Sequence, residues 1–269
     1  MGFNLLLILF IVSLILSSEG FYKYVYFLSV GYGLSVAGIG VALIVMGIAG
    51  IFPGMQLPHY ILSALFIVYG FRLSGFLIVR EVKNAAYRKT LSEAVGSGDK
   101  MPLFVKAVMW IGVSVLYTAQ TSGVFFRLYN GAEVGTLVWV GIVICVIAII
   151  IESEADREKS AQKKKRPDMV AKEGLYKIVR CPNYFGEILF WTGITVSSLD
   201  ILKGAGQWIM VMVAYVCIVY IMFNGAQRLE RRQMKRYADN AEYHAYADKT
   251  PIIIPLIPIY HLNKEAKKK

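Results

Sequence analysis

The chain reads as an all-α polytopic membrane protein of about seven transmembrane helices, and three observations lead there. Of its 269 residues 57% are hydrophobic and only 17% are charged, against about 45–50% and about 25% in soluble domains. The apolar residues arrive in runs of about 20, the length a helix needs to cross about 30 Å of hydrocarbon. The formal charge of +11 sits mostly in the polar stretches between those runs. With a mean hydropathy of +0.54, residues 1–269 are expected to form a single integral membrane domain. The basic excess is then a membrane signal, and no nucleic-acid partner is expected.

The first run, 3–18, contains NLLLILFIVSLIL. It lacks a basic leader and a small-x-small site before Glu19, so a retained helix is expected and not a secretory signal. The second, 24–51, carries Gly31, Gly33, Gly38, Gly40, Gly47 and Gly50. Small residues let membrane helices approach closely, which predicts a helix buried among others. The third, 59–79, places Tyr69 and Arg72 three residues apart and therefore on one helix face. An arginine at that depth either snorkels to the interface or faces a polar cavity. Runs 102–122, 134–151, 184–202 and 206–225 complete the set.

Stretch 80–101 holds five basic residues, 152–182 holds nine and the tail from Arg228 holds ten, together 24 of the 29. If the spans alternate, all three stretches fall on one side, while the loops 52–58, 123–133 and 203–205 carry only Arg127 and Lys203. This positive-inside asymmetry predicts an outside N-terminus and a cytoplasmic C-terminus. The membrane is the inner or plasma membrane in a bacterial cell, or the endoplasmic reticulum in a eukaryotic one.

The second half carries the chemistry-bearing residues. Glu187 lies four residues after Asn183 in RCPNYFGEILFWTG, so the two share a helix face, with Pro182 suited to the first helical position. That pair reads either as a dipole-favoured first-turn carboxylate or as a polar pair presented to a ligand. Glu152 and Asp156 lie four apart at the end of the fifth run. The cluster Lys163, Lys164, Lys165 and Arg166 reads as a solvated helix extension or as a phosphate site. Cys145, Cys181 and Cys217 show no paired spacing, and three histidines in no HExxH pattern predict no metal site. No GxGxxG follows a strand and no phosphate-loop motif occurs, so any nucleotide must use a site built from membrane helices and their loops.

These residues resemble a known family. GLYKIVRCPNYFGEILFWTG (174–193) is similar to the signature of the steroid 5α-reductase superfamily, and closer to its bacterial-type branch, catalogued as a domain of unknown function (DUF1295). ESEAD from Glu152 to Asp156 with Lys159, GAQRLERR (225–232), EYHAYADKTPIIIP (242–255) and YGFRLSGFLIVR (69–80) resemble its other elements. The likeness covers about 60–258. Cys181 stands where the family usually has His, Glu158 where Gln is frequent, and Lys177-Ile178-Val179 departs from the common pattern.

The resemblance implies a seven-helix reductase with NADPH in a cavity open to the cytosol, acting on an apolar lipid-like or steroid-like small molecule among membrane lipids, as a monomer. Residues 1–58 would form the substrate side and 59–269 the reductase core, with cofactor loops 80–101 and 152–182 and tail 226–269. Carried across, Glu152 and Asp156 would hold polar groups of the nucleotide, and Lys163 to Arg166 with Arg80 its phosphates. Asn183 and Glu187 would meet the nicotinamide end or ribose, Arg180 and Tyr184 the entrance, and Glu230 and Tyr246 complete the cofactor set. Tyr69 would donate to the substrate carbonyl beside Arg72. The family's second substrate-polarising carboxylate has no counterpart, and Tyr32 is the nearest polar candidate. The implied reaction is reduction of an enone C=C bond. The rival reading is an S-adenosylmethionine-dependent methyltransferase of the isoprenylcysteine or phospholipid type, which shares the architecture and a related RHPxYxG element but usually carries paired acids where Leu229-Glu230-Arg231 offers one. A structural or transport protein is the third reading.

Overall fold

The computed structural model describes residues 2–83, 85, 88, 92, 101–131 and 133–263. Most of the expected cofactor loop 80–101 and the terminal KEAKKK lie outside the described residues. Among the described residues there are eight α-helices and no strand: α1 (Gly2–Ser17), α2 (Val30–Ile48), α3 (Leu57–Lys83), α4 (Leu103–Tyr129), α5 (Thr136–Lys165), α6 (Pro182–Val196), α7 (Gly204–Arg236) and α8 (Ala241–Ala247). Six segments are long and apolar enough to cross a membrane, namely Asn4–Phe21 and the helices α2, α3, α4, α5 and α7. The all-α membrane architecture expected from the sequence is the one found.

Several boundaries differ from expectation. The fourth run continues past 122 to Tyr129 and the seventh past 225 to Arg236. The run 184–202 becomes a 15-residue helix, about 22 Å long and short of the about 30 Å of a hydrocarbon core. At its end the Ser197 and Ser198 hydroxyls bond back to the carbonyls of Ile194 (2.7 Å) and Thr195 (2.8 Å). At the start of the second run, Tyr24–Leu28 form a 3-10 helix and α2 begins only at Val30. The polar residues 152–165, read from the sequence either as cofactor loop or as a solvated helix extension, continue α5 to Lys165. They are good helix formers, Arg157 pairs with Glu154 at 2.6 Å one turn back, and Pro167 follows the end. Lysines 163–165 complement the helix dipole in that last turn.

The chain forms two compact units, Met1–Ile142 with Ile194–Ala214, and Val143–Gly193 with Tyr215–Lys269. In unit one α2 packs closely against α3. A Cβ on Gly70 would lie 2.8 Å from the Ala37 amide nitrogen and 2.9 Å from its Cβ, and one on Gly40 would strike the Ser63 carbonyl and Phe66. Gly33 and Gly40 of the glycine stripe thus form the α2–α3 seam, whereas Gly38 faces Leu16 and Val12 of α1. On α4, Trp110 donates to the Leu14 carbonyl (2.8 Å) and Ser114 bonds Ser17 of α1 (3.1 Å). Lys23 and Tyr26 both bond the Glu81 carboxylate, which ties the α1–α2 connection to the end of α3.

Arg127, fully buried, closes the other end of unit one. Its guanidinium donates to the carbonyls of Ser197 (2.7 Å) and Glu133 (3.1 Å) and pairs with Asp200. Arg127, expected in the charge-poor loop 123–133, lies instead in the last turn of α4 and acts as a structural clamp. A buried cation must be paired and hydrogen-bonded, and these three acceptors do that.

In unit two α5 and α6 lie side by side, with Cys145 donating to the Phe190 carbonyl (3.4 Å). Gln162 staples the chain after α5: its Oε1 accepts from the amides of Lys172 (2.8 Å) and Glu173 (3.0 Å), and its Nε2 donates to the Glu173 carbonyl (3.1 Å). Met169, Val170, Tyr237, Tyr243 and Ala247 form a small core beneath α8. The tail then pairs with the segment before α6, since Arg180 and Cys181 donate their amides to the carbonyls of Pro251 (2.8 Å) and Ile252 (2.9 Å).

Candidate functional site

The expected residues fall into two groups, one in each unit. In unit two the organising position is Gly186. A Cβ there would meet the Glu152 side chain and lie 3.2 Å from the Ala148 carbonyl, so only glycine lets α6 close on α5 at this level. Closure sets Glu152, 2% exposed, beside the turn that carries Asn183 and Glu187, with Glu187 5% exposed. The Glu187 Oε1 accepts from the Trp191 indole at 3.1 Å, one turn along α6. Asp156 follows one turn after Glu152 on α5 and is half-buried, as are Asn183 and Tyr184. The Tyr184 ring lies over Gly225 of α7, whose Cβ would meet it at 3.4 Å.

Behind this group the loop is tied down. Gly174 adopts φ +63°, and a Cβ there would collide with the Glu158 carboxylate, whose Oε2 accepts from the Leu175 amide at 2.9 Å. Tyr176 donates to the Ala155 carbonyl (3.2 Å), and Tyr246 donates to the Tyr176 carbonyl (2.6 Å). Burial pushes both phenols above their ordinary range, so both remain protonated donors at neutral pH. Burial also pushes the Cys181 thiol up to about 11, which leaves it an inert packing residue.

Arg180 and Glu230 form a buried ion pair at 2.7 Å. Glu230 Oε1 also meets His261 Nδ1 (3.0 Å), and Oε2 accepts from the amides of Leu262 (2.9 Å) and Asn263 (3.1 Å) and from Asn263 Nδ2 (2.7 Å). This carboxylate gathers the C-terminal tail. In the basic cluster, Lys163 donates to the Tyr237 hydroxyl (3.1 Å), and Arg166 grips Glu242 through two nitrogens at 3.1 and 3.0 Å. Lys172 pairs with the same carboxylate, which the two cations hold down at about 2. A depression of about 420 Å³ beside it is lined by Lys172, Glu173, Lys177, Glu242, Ala245 and Tyr246. Its two cations and two carboxylates balance, so it gives an anion no net attraction.

In unit one Tyr69, fully buried, donates to the Tyr32 hydroxyl at 3.1 Å. The two residues named separately from the sequence are therefore one hydroxyl pair. The Arg72 guanidinium carbon lies 6.0 Å from the Tyr69 ring centre. Tyr117 of α4 packs on Tyr32 with ring centres 4.9 Å apart, and its hydroxyl is held by the Phe27 carbonyl at 2.5 Å. Arg80 is half-buried near the end of α3.

A family model described as protein of unknown function (DUF1295) matches residues 32–250. The chain belongs to this family. No curated protein matches the chain, and no solved structure matches it. The DUF1295 match begins at Tyr32 and ends at Thr250, so it encloses every candidate residue of both units. It stops short of His261 and Asn263, which complete the Glu230 cluster. Within the DUF1295 segment, sequence reasoning passed over Gln162, Trp191 and Gln120. Trp191 carried a usable signal, standing one helical turn after Glu187. Gln120 carried another, a carboxamide in an apolar run, the same anomaly that drew attention to Arg72. Gln162 carried none, because its role lies in backbone amides ten and eleven residues away.

Proposed function

We propose that the chain is a membrane-embedded, NADPH-dependent reductase of an activated C=C bond, an enone, in a lipid-like or steroid-like substrate. The observation that carries this reading is the buried Tyr32–Tyr69 hydroxyl pair beside Arg72. Reduction of an enone builds negative charge on the carbonyl oxygen, and a positioned donor in a water-poor site stabilises that charge and delivers the proton. Hydroxyl hydrogens rotate to suit, so the pair can turn one proton toward a ligand while the second hydroxyl supports the phenolate left behind. Methyl transfer has no use for such a donor pair.

The side chains of unit two fit the cofactor's donor set. Glu152 and Asp156 suit ribose hydroxyls, Asn183 offers both the donors and the acceptor that a carboxamide needs, and Glu187 adds a carboxylate oriented by Trp191. Lys164 and Lys165 are exposed and suit phosphates, whereas Lys163 and Arg166 are already engaged with Tyr237 and Glu242. When bound, the nicotinamide supplies the hydride. The chain's own contribution is to hold the polar groups of the nucleotide and to keep the tyrosine pair out of water.

Purified protein in detergent micelles tests this. NADPH is expected to raise the melting temperature and enhance nicotinamide fluorescence, with S-adenosylmethionine giving neither response. A melting shift with S-adenosylmethionine alone would move the assignment to methyl transfer, and no response to either would remove the enzyme reading.

A further inference from the structure

Gln120 of α4 is 6% exposed, and neither its Oε1 nor its Nε2 meets a hydrogen-bond partner among the described residues. A side-chain amide has two hydrogens to donate and two lone pairs to fill. An amide buried in a candidate membrane span with none of them used calls for an explanation.

Helix geometry shows where the side chain points. At about 100° per residue, Ser114 lies about 60° to one side of Tyr117 and bonds Ser17 of α1. Gln120 lies about 60° to the opposite side. Gly123 lies about 60° beyond it, where a Cβ would meet the Ser198 hydroxyl at 2.8 Å. Tyr117 itself faces Tyr32. The Gln120 amide is therefore directed between the Tyr32–Tyr69 pair and the turn that ends α6, inside unit one and about one helical turn from Tyr117.

We propose that Gln120 is a ligand-binding residue whose amide bonds a neutral oxygen, a ketone or an alcohol, on an otherwise apolar molecule seated against the tyrosine pair. This rests on the enone-reductase reading, in which the Tyr32–Tyr69 pair meets the substrate, and narrows the substrate class to molecules without a charged head group. A neutral amide in an apolar interior suits a neutral oxygen. It cannot offset the desolvation of a carboxylate or phosphate, so fatty acids and phospholipid headgroups are disfavoured. The amide's unmet bonds are stability given up to recognition, as active sites often hold groups that are satisfied only when occupied.

The test uses the full chain, purified in detergent, with Gln120→Met to remove the polar atoms at similar volume and Gln120→Asn to keep a shortened amide. Without ligand, Gln120→Met is expected to melt higher than wild type, because replacing an unsatisfied buried polar group by an apolar one of like shape is neutral or stabilising. Affinity is then compared for three matched pairs: 4-cholesten-3-one and 4-cholestene, a long-chain enone and its alkene, and a polyprenyl ketone and its hydrocarbon. Wild type is expected to prefer one ketone over its hydrocarbon by about tenfold, the worth of one hydrogen bond. Gln120→Met is expected to lower that preference, leaving what the tyrosine pair contributes, and Gln120→Asn to lower it less. A lower melting point for Gln120→Met would overturn the proposal, as would an unchanged preference or no ketone preference in wild type for any pair. NADPH binding measured on the same samples separates the two readings. Its absence with the ketone preference intact sinks the reductase and leaves Gln120 standing; its presence with a preference indifferent to Gln120→Met sinks Gln120 alone.

Discussion

Tyr69 and Glu230 show how differently two buried polar residues act. The Tyr69 hydroxyl donates to the Tyr32 hydroxyl, and hydroxyl hydrogens rotate, so that arrangement can pass a proton on. Tyr69→Phe is expected to lower enone reduction by about 10²-fold or more, the range lost with a positioned proton donor, while NADPH affinity stays as in wild type; steady-state rates and cofactor titration check both. Glu230 is the opposite case, with both oxygens saturated by Arg180, His261, Leu262 and Asn263. Glu230→Ala leaves the Arg180 guanidinium buried without its carboxylate, an uncompensated charge worth about 3–5 kcal/mol. The expected result is a lower melting temperature with new proteolytic cleavage confined to residues 251–263. Its resemblance to a cofactor-contacting position was readable from the sequence. Its bonds to Leu262 and Asn263 were not, because the partners lie more than thirty residues away.

Among the elements, the α2–α3 seam and the α8 dock make separate claims. Gly70→Ala pushes a methyl group against the α2 backbone at Gly33 and Ala37, and such overpacking costs about 1–3 kcal/mol. Gly75→Ala, on the same helix with nothing within 4 Å of its Cβ, is the control. It is expected to be neutral or to stabilise by up to about 1 kcal/mol through helix propensity, and melting of both variants in detergent distinguishes seam from propensity. The α8 dock depends on pH. The Glu242 carboxyl is held at about 2, below its ordinary 4.5, by Arg166 and Lys172. A depressed carboxylate contributes stability that is complete above the ordinary value and is lost as pH falls toward the folded one. Protease protection of residues 238–250 is therefore expected to hold at pH 6 and to decline between about pH 4.5 and 2, with full protection at pH 2.5 contradicting the assignment. The glycine stripe announced a buried α2, but nothing in the pattern said that α3 was the partner, or that α6 would stop at Val196.

For the whole molecule, the charge distribution makes the testable statement about orientation. Reporters inserted at Gly54, Gly131 and Gly204, where a Cβ meets nothing within 4 Å, are expected outside, and a C-terminal reporter in the cytoplasm. If the Gly204 insertion reported on the same side as the C-terminus, α7 would not cross. Six segments have the length and apolarity to span. The short α6 is the element whose path decides the parity, and the Gly204 reporter reads it directly.

Composition, run length and charge asymmetry determined that this chain is helical and built for a membrane, because hydrocarbon leaves a backbone few ways to satisfy itself and a helix bonds only within its own segment. The same local signals marked Arg72 and Glu187 as anomalies, since a charge in an apolar run is visible without knowing its neighbours. Only the tertiary structure decided which residues meet. Gly186 lets Glu152 close on the first turn of α6, the α2–α3 seam brings Tyr32 to Tyr69, and α4 packs Tyr117 on Tyr32 with Gln120 one helical turn further on. Contacts between helices depend on rotation and crossing, which side chains on both partners settle together, and no single run of sequence contains both halves of that information.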